Sequence, residues 1–180
     1  MNYPKFFDSK NSINLLGLEE EFNFLSSLYI KKKLPKVLML TGAKGIGKST
    51  LINHFLFSVF DEKNYDKKNN LLSKNSDFYP NFKDNIFSNI IYINGSEFKT
   101  IKIDNIRSLK TKLIKSPILD KERFIVLDDI DLFNNNSLNA LLKIIEEPGD
   151  YNHFFLINNN TKELLETIKS RSLELKIILK

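Results

Sequence analysis

The run KVLMLTGAKGIGKS, Lys36 to Ser49, decides how the rest of the chain is read. Lys36 to Thr41 is a short apolar segment bounded by Pro35 and Gly42, the pattern of a buried strand. Gly42-Ala43-Lys44-Gly45-Ile46-Gly47-Lys48-Ser49 then fits the spacing GxxxxGK[ST]. The chemistry accounts for that spacing. Glycines let the backbone amides turn inward around a phosphate. A helix that starts at Lys48 aims its N-terminal amides at the same anion. Lys48 reaches the β- and γ-phosphates, the Ser49 hydroxyl binds Mg²⁺, and Thr50 continues the cradle. An accidental match arises in roughly one chain of this length in a few hundred. The strand before the loop and the helix after it reduce that chance further, so the loop is read as a phosphate cradle.

Working outward, Glu19 to Lys32 reads as a helix, with Phe22, Leu25 and Leu28/Tyr29 at helical spacing. Ser49 to Phe60 is a second helix. Asp61 to Asp84 is rich in Lys and Asn with little periodicity, and the span 61–87 is expected to be a polar surface insertion with a short helix near Leu71 and Leu72. Asn89 to Ile93 is a strand. A helix follows, capped by Asp104 or Asn105 and closed by Pro117. Arg123 to Leu127 is a third buried strand. Asn136 to Glu147 is a helix stopped by Pro148 and Gly149. Phe154 to Ile157 is a strand, Glu163 to Lys169 a short helix, and Leu173 to Ile178 a fifth strand. Strands alternate with helices throughout. The expected fold is therefore α/β in three layers, a mostly parallel five-stranded sheet covered on both faces. One domain is expected over 1–180, with its core at 14–178.

Two strand ends add polar chemistry. FIVLDD places Asp128 where an acid holds Mg²⁺ through water, with Asp129 beside it. These carboxylates are expected to face the metal of the phosphate loop from a neighbouring strand. Asn158 follows FFLI and would sit beside the γ-phosphate as a sensor, although Asn158-Asn159-Asn160 also has the composition of a simple turn. His54 and His153 are given no role and are expected at the surface or partly packed.

Composition sets outer limits. The chain has 180 residues, a formal net charge of +5 and no cysteine. That excludes disulfides and thiolate zinc sites. No apolar run approaches a membrane span, and MNYPKFFDSKNS has no signal-peptide core, so a soluble cytoplasmic protein is expected. Only Arg107, Arg123 and Arg171 are arginines among 27 basic residues. The lysines are spread out rather than clustered, and net charge alone does not make a nucleic-acid patch.

Three further stretches narrow the class: LLGLEEEFNFL (Leu15–Leu25), NALLKIIEEP (Asn139–Pro148) and LLETIKSRS (Leu164–Ser172). With the phosphate loop and FIVLDD, they resemble the AAA+ clamp-loader family of bacterial DNA polymerase III, over roughly Leu15 to Ile178. The resemblance implies an ATP- and Mg²⁺-binding AAA+ domain and gives Arg171 the role of a finger acting in trans on a neighbour's nucleotide. It implies other clamp-loader subunits (tau/gamma and delta) as partners, with the sliding clamp and primer-template DNA engaged through the complex. Hydrolytic members carry Glu where Asp129 stands, and Asp is one methylene shorter. The tau/gamma branch also has a four-cysteine zinc module, which the cysteine-free segment after Phe60 cannot supply. Both features lean toward the delta-prime branch, whose members often lack turnover, while the intact Lys48 and Ser49 favour ATP binding. The resemblance implies a helical lid and collar as further domains, and neither is expected within residues 1–180. Open alternatives are a tau/gamma-type ATPase with intrinsic hydrolysis, a P-loop phosphotransferase, and an interaction domain with a vestigial site.

Overall fold

The computed structural model describes residues 9–96, 103–114, 116–117, 119 and 121–178, and of 103–105 and 107 the backbone only. The segment 1–8, part of the stretch read as lacking a signal peptide, lies outside them. The chain forms two compact units. One comprises 1–34, 45–87 and 178–180, and the other comprises 35–44 and 88–177.

The second unit is built on a sheet. Its strands are β1 (Val37–Thr41), β4 (Ile90–Asn94), β5 (Arg123–Asp128), β6 (Asn152–Asn158) and β7 (Leu173–Lys176), in the order β4-β5-β6-β1-β7. Every neighbouring pair is parallel. β1, β5 and β6 are buried along their whole length. Their sequences are near-continuous apolar runs for that reason, because a strand covered on both faces has no solvent side to alternate toward. Helices α4 (Ile103–Leu113), α5 (Asn135–Ile145) and α6 (Glu166–Lys169) belong to the same unit. Ile106 and Leu109 of α4 and Leu138, Leu141, Ile144 and Ile145 of α5 share one core with Val37, Met39, Ile125, Leu127, Phe154 and Leu156. Asn134 caps α5, its side chain accepting from the Ser137 amide at 2.9 Å. α4 is already helical at Asp104 and Asn105, so it begins before the expected cap.

The first unit holds α1 (Glu19–Ile30), α2 (Lys48–Phe60), the short hairpin β2 (Tyr65–Asp66) with β3 (Leu71–Leu72), and α3 (Phe78–Lys83). The helix expected near Leu71 and Leu72 is instead a strand, and the helix lies further on. Nor is the insertion purely polar. Tyr65, Leu72, Phe78, Tyr79 and Phe82 are all buried. Phe78 meets Phe57 edge-on at 5.0 Å and stacks on Phe82 at 5.5 Å. Five side chains spaced irregularly through a polar stretch give no helix or strand period, yet they close an aromatic core against α2.

The histidines are buried, not at the surface. His54 on α2 has Nδ1 at 3.2 Å from the Tyr65 hydroxyl and Nε2 at 3.1 Å from the Ser12 carbonyl. His153 on β6 has Nδ1 at 3.0 Å from the Pro35 carbonyl. Both act as internal hydrogen-bonding groups that tie segments together.

Candidate nucleotide site

Because all five strands run parallel, their C-terminal ends line one edge of the sheet. Four of those ends carry an uncharged polar or acidic residue. Thr41 of β1 lies opposite Asn158 of β6, and Asn94 of β4 lies opposite Asp128 of β5. In such sheets, ligands bind outside the carboxyl ends of the strands.

One expectation is corrected here. β1 and β5 are not neighbours, because β6 runs between them. Strands are spaced by about 4.8 Å, so the Thr41 and Asp128 ends lie on the order of 10 Å apart. Asn158 occupies the middle of that gap. A separation of this size suits an acid that reaches a phosphate through metal and water.

The phosphate loop leaves β1 with the Gly42 amide donating to the Asn158 carbonyl at 3.3 Å. Ala43 and Lys44 are exposed. Lys44 Nζ stands 4.0 Å from Asp129 Oδ1. Gly45 and Gly47 adopt φ of +87° and +94°, a region that costs any side chain strain. Nothing lies within 4 Å of a Cβ built on Gly45. At Gly47, a Cβ would lie 3.1 Å from Leu18 Cδ1, so that position is tight as well as left-handed. Gly47 is also the N-cap of α2 and offers no side-chain cap to the helix. Lys48 is buried, while Ile46, Ser49 and Thr50 are half-buried.

The acids after β5 are held by groups that sequence reading did not single out. Asp128 Oδ1 accepts from the Asp129 amide at 2.9 Å, and Oδ2 accepts from the Tyr92 hydroxyl at 2.5 Å. The parallel register explains the second contact. Tyr92 pairs with Val126, which shares a face with Asp128 at the period of two. Asp129 sits in the left-handed region at φ 52°, which is strained for a non-glycine residue. Its Oδ1 accepts from the Asn159 side-chain amide. Thus it is Asn159 that touches the second acid, whereas Asn158 Oδ1 accepts from the Asn160 amide at 3.0 Å. Asp131 is buried and closes the turn. It accepts from the Asn159 amide at 3.3 Å, from the Thr161 amide at 2.8 Å and from the Thr161 hydroxyl. Burial pushes its carboxyl up, but the Thr161 and Asn159 donors outweigh this and leave it below the ordinary range. Gly95, just past β4, donates to the Asp128 carbonyl at 2.8 Å. A Cβ on Gly95 would fall 2.5 Å from the Asp129 carbonyl oxygen.

Arg171 follows α6 in the turn before β7. Its Nη2 is 2.8 Å from Glu146 Oε1 and its Nη1 donates to the Thr167 carbonyl at 3.0 Å. Ser172 donates to the Ile168 carbonyl at 3.0 Å and lies against Met39 Sδ at 4.0 Å. Among the described residues no cluster of His, Cys, Asp and Glu could hold a metal by itself, and no helix is long and apolar enough to cross a membrane.

A phosphate-loop strand, a polar-ended strand beside it and an acid-ended strand one place further define a three-layer α/β domain of the AAA+ class. Solved structures agree. A DNA polymerase III gamma-subunit-related protein of Thermotoga maritima superposes with a TM-score of 0.56 at 24% identity, covering 87% of this chain and 46% of that one. The Thermotoga maritima RuvB Holliday junction branch migration motor gives 0.53 at 16%, covering 93% and 46%. At these identities the likeness is one of fold. A family model described as DNA polymerase III, delta subunit, matches residues 17–178, and the chain belongs to that clamp-loader family. The DNA polymerase III subunit delta' of Buchnera aphidicola (subsp. Schizaphis graminum) is 39% identical over 69 residues, 38% of this chain and 21% of that protein. The gamma subunit of the same organism is 23% identical over 163 residues, 91% and 44%. The chain thus spans less than half the length of these relatives.

Proposed function

We propose that this chain is a delta-prime-type subunit of the DNA polymerase III clamp loader, which binds ATP–Mg²⁺ and lends Arg171 to the nucleotide of a neighbouring subunit. The observation behind this is the family match from 17 to 178 around an intact phosphate loop. The partners would be tau/gamma and delta subunits in the cytoplasm, and the task would be to open the sliding clamp and place it on primed DNA.

The residues fit a nucleotide. The Thr41 hydroxyl is buried at the end of β1 with no partner, and the first turn of α2 has no side-chain cap. Bound ATP–Mg²⁺ would supply the γ-phosphate whose presence or loss changes the charge at the strand ends. Gly42 to Thr50 would hold the phosphates, with Lys48 reaching the β- and γ-groups. Ser49 and Asp128 would hold the metal, Asp128 through water, and Asn158 would lie beside the γ-phosphate. Asp129 is the candidate base. Its Oδ1 is engaged by Asn159 and lies near Lys44. A carboxylate held in this way is poorly placed to polarise water, which supports slow turnover. Arg171 offers a planar, permanently charged fork suited to stabilising phosphoryl charge from across an interface.

Titration with a fluorescent ATP analogue should give saturable binding, lost in Lys48→Ala. The absence of a specific signal would reduce the domain to an interaction module. The second reading, intrinsic hydrolysis of the tau/gamma type, is favoured by the match to a gamma subunit over 91% of this chain. Phosphate release from the isolated chain near background opposes that reading, whereas robust release abolished by Asp129→Asn would establish it.

A further inference from the structure

We propose that Glu146 is the positioning residue for Arg171, holding the guanidinium in the orientation it presents to the neighbouring subunit. The proposal rests on the reading of Arg171 as a finger in trans. Two anchors from separate elements meet on one guanidinium. Glu146, at the C-terminal cap of α5, takes Nη2 at 2.8 Å. The Thr167 carbonyl of α6 takes Nη1 at 3.0 Å. Two contacts on different nitrogens fix both the direction and the plane of the fork. Lys169, the other cation of this turn, is matched separately to Glu166 at 2.6 Å. Glu146 is therefore the acid assigned to Arg171.

The exposure of the pair says what it is for. The side chains are 38% and 46% exposed, and ion pairs in such settings add little to folding. Their contribution is to the geometry of a long, rotamer-rich side chain that would otherwise sample many directions. A guanidinium has five donors, so these two anchors leave N–H groups for an incoming phosphate oxygen. Glu146 lies within NALLKIIEEP and Arg171 within LLETIKSRS, so the contact joins two of the stretches that marked the family resemblance.

The test uses the full chain reconstituted with its companion subunits, measuring kcat and KM for ATP. Glu146→Gln should lower kcat by about three- to tenfold with KM little changed, because an unrestrained side chain must be ordered in the transition state. Glu146→Asp should restore part of the loss. Thermal melting and size-exclusion profiles should match the parent. In an Arg171→Ala background, Glu146→Gln should have no further effect. If Arg171→Ala lowers kcat and Glu146→Gln does not, the positioning role is wrong and the finger reading stands. If Arg171→Ala itself changes nothing, the finger reading falls and the proposal with it. An equal loss from Glu146→Gln in both backgrounds would show that Glu146 acts elsewhere.

Discussion

The strand-end region of the sheet and the insertion 61–87 solve the same problem with opposite materials. At the strand ends, buried acids are held by polar donors: Asp128 by Tyr92, Asp129 by Asn159, and Asp131 by Thr161. In the insertion, backbone turns are held by aromatic rings against α2, with Phe60 and Phe87 at 4.9 Å and Phe78 and Phe87 at 4.8 Å. Polar fixing is directional and sets atoms for chemistry, but each bond is fragile to a single deletion. Ring packing is non-directional and spreads its stabilisation over area. The first suits a candidate site, and the second suits a scaffold.

If that contrast is right, the insertion is as costly to empty as the sheet. Phe154→Ala on fully buried β6 should lose about 3–5 kcal/mol in urea unfolding, and Phe82→Ala should lose about 3 kcal/mol. A loss below about 0.5 kcal/mol at Phe82, the range of a surface substitution, would return the insertion to a surface loop and break the comparison.

The same contrast explains what could be read in the sequence. The strands announced themselves because VLML, FIVL and FFLI are unbroken apolar runs, the mark of burial on both faces. The acids of FIVLDD and the glycines of the phosphate loop were legible because their chemistry fixes their spacing. The insertion was misread because Tyr65, Leu72, Phe78, Tyr79 and Phe82 follow no period, and only the tertiary fold shows which way each faces. Tyr92, Asn159 and Gly95 were missed for another reason. Their roles depend on strand order and register, which place them against Asp128 and Asp129. The assumed adjacency of β1 and β5 failed on the same ground, since nothing local in either strand records that β6 lies between them.

Acid should separate the two regions. Burial pushes His54 down from 6.5 to about 4, with the Ser12 carbonyl only partly offsetting this. Its neutral form is therefore the folded form. The unfolded chain takes up a proton first, so stability is full above about pH 6.5 and declines as pH falls toward 4, saturating at about 3 kcal/mol. Asp131 has the opposite chemistry. Its carboxylate is the folded form, and its contribution is present above its ordinary value of 3.8 and is lost only as pH falls further, through its lowered value. Chemical unfolding across pH should thus show two windows. His54→Gln should flatten the upper one and Asp131→Asn the lower one. Asp131→Asn should also cost about 1–3 kcal/mol at neutral pH through weakened bonds to Thr161. A single window removed by either substitution alone would mean the regions do not titrate independently.

A smaller effect than emptying the core is expected at Gly95, and it bears most directly on how tightly the acid turn is held. Its Cβ position falls 2.5 Å from the Asp129 carbonyl oxygen and 3.2 Å from the Phe133 ring. The nearer contact is backbone, so a new methyl group cannot be accommodated by rotating a side chain. Gly95→Ala should therefore cost about 2 kcal/mol by forcing the turn at Asp129 away from β4. Gly45→Ala is the matched control, since it adds left-handed strain of about 1–2 kcal/mol with no atom to strike within 4 Å. The two losses differ in kind. At Gly95 the strain acts on Asp129, so Gly95→Ala should make the Asp129 carboxylate less sensitive to removal of Asn159, and a double-mutant cycle with Asn159→Ala should show coupling above about 0.5 kcal/mol. Additive losses would mean that the Asp129 turn moves freely of Asn159 and that the polar region is looser than its hydrogen bonds imply.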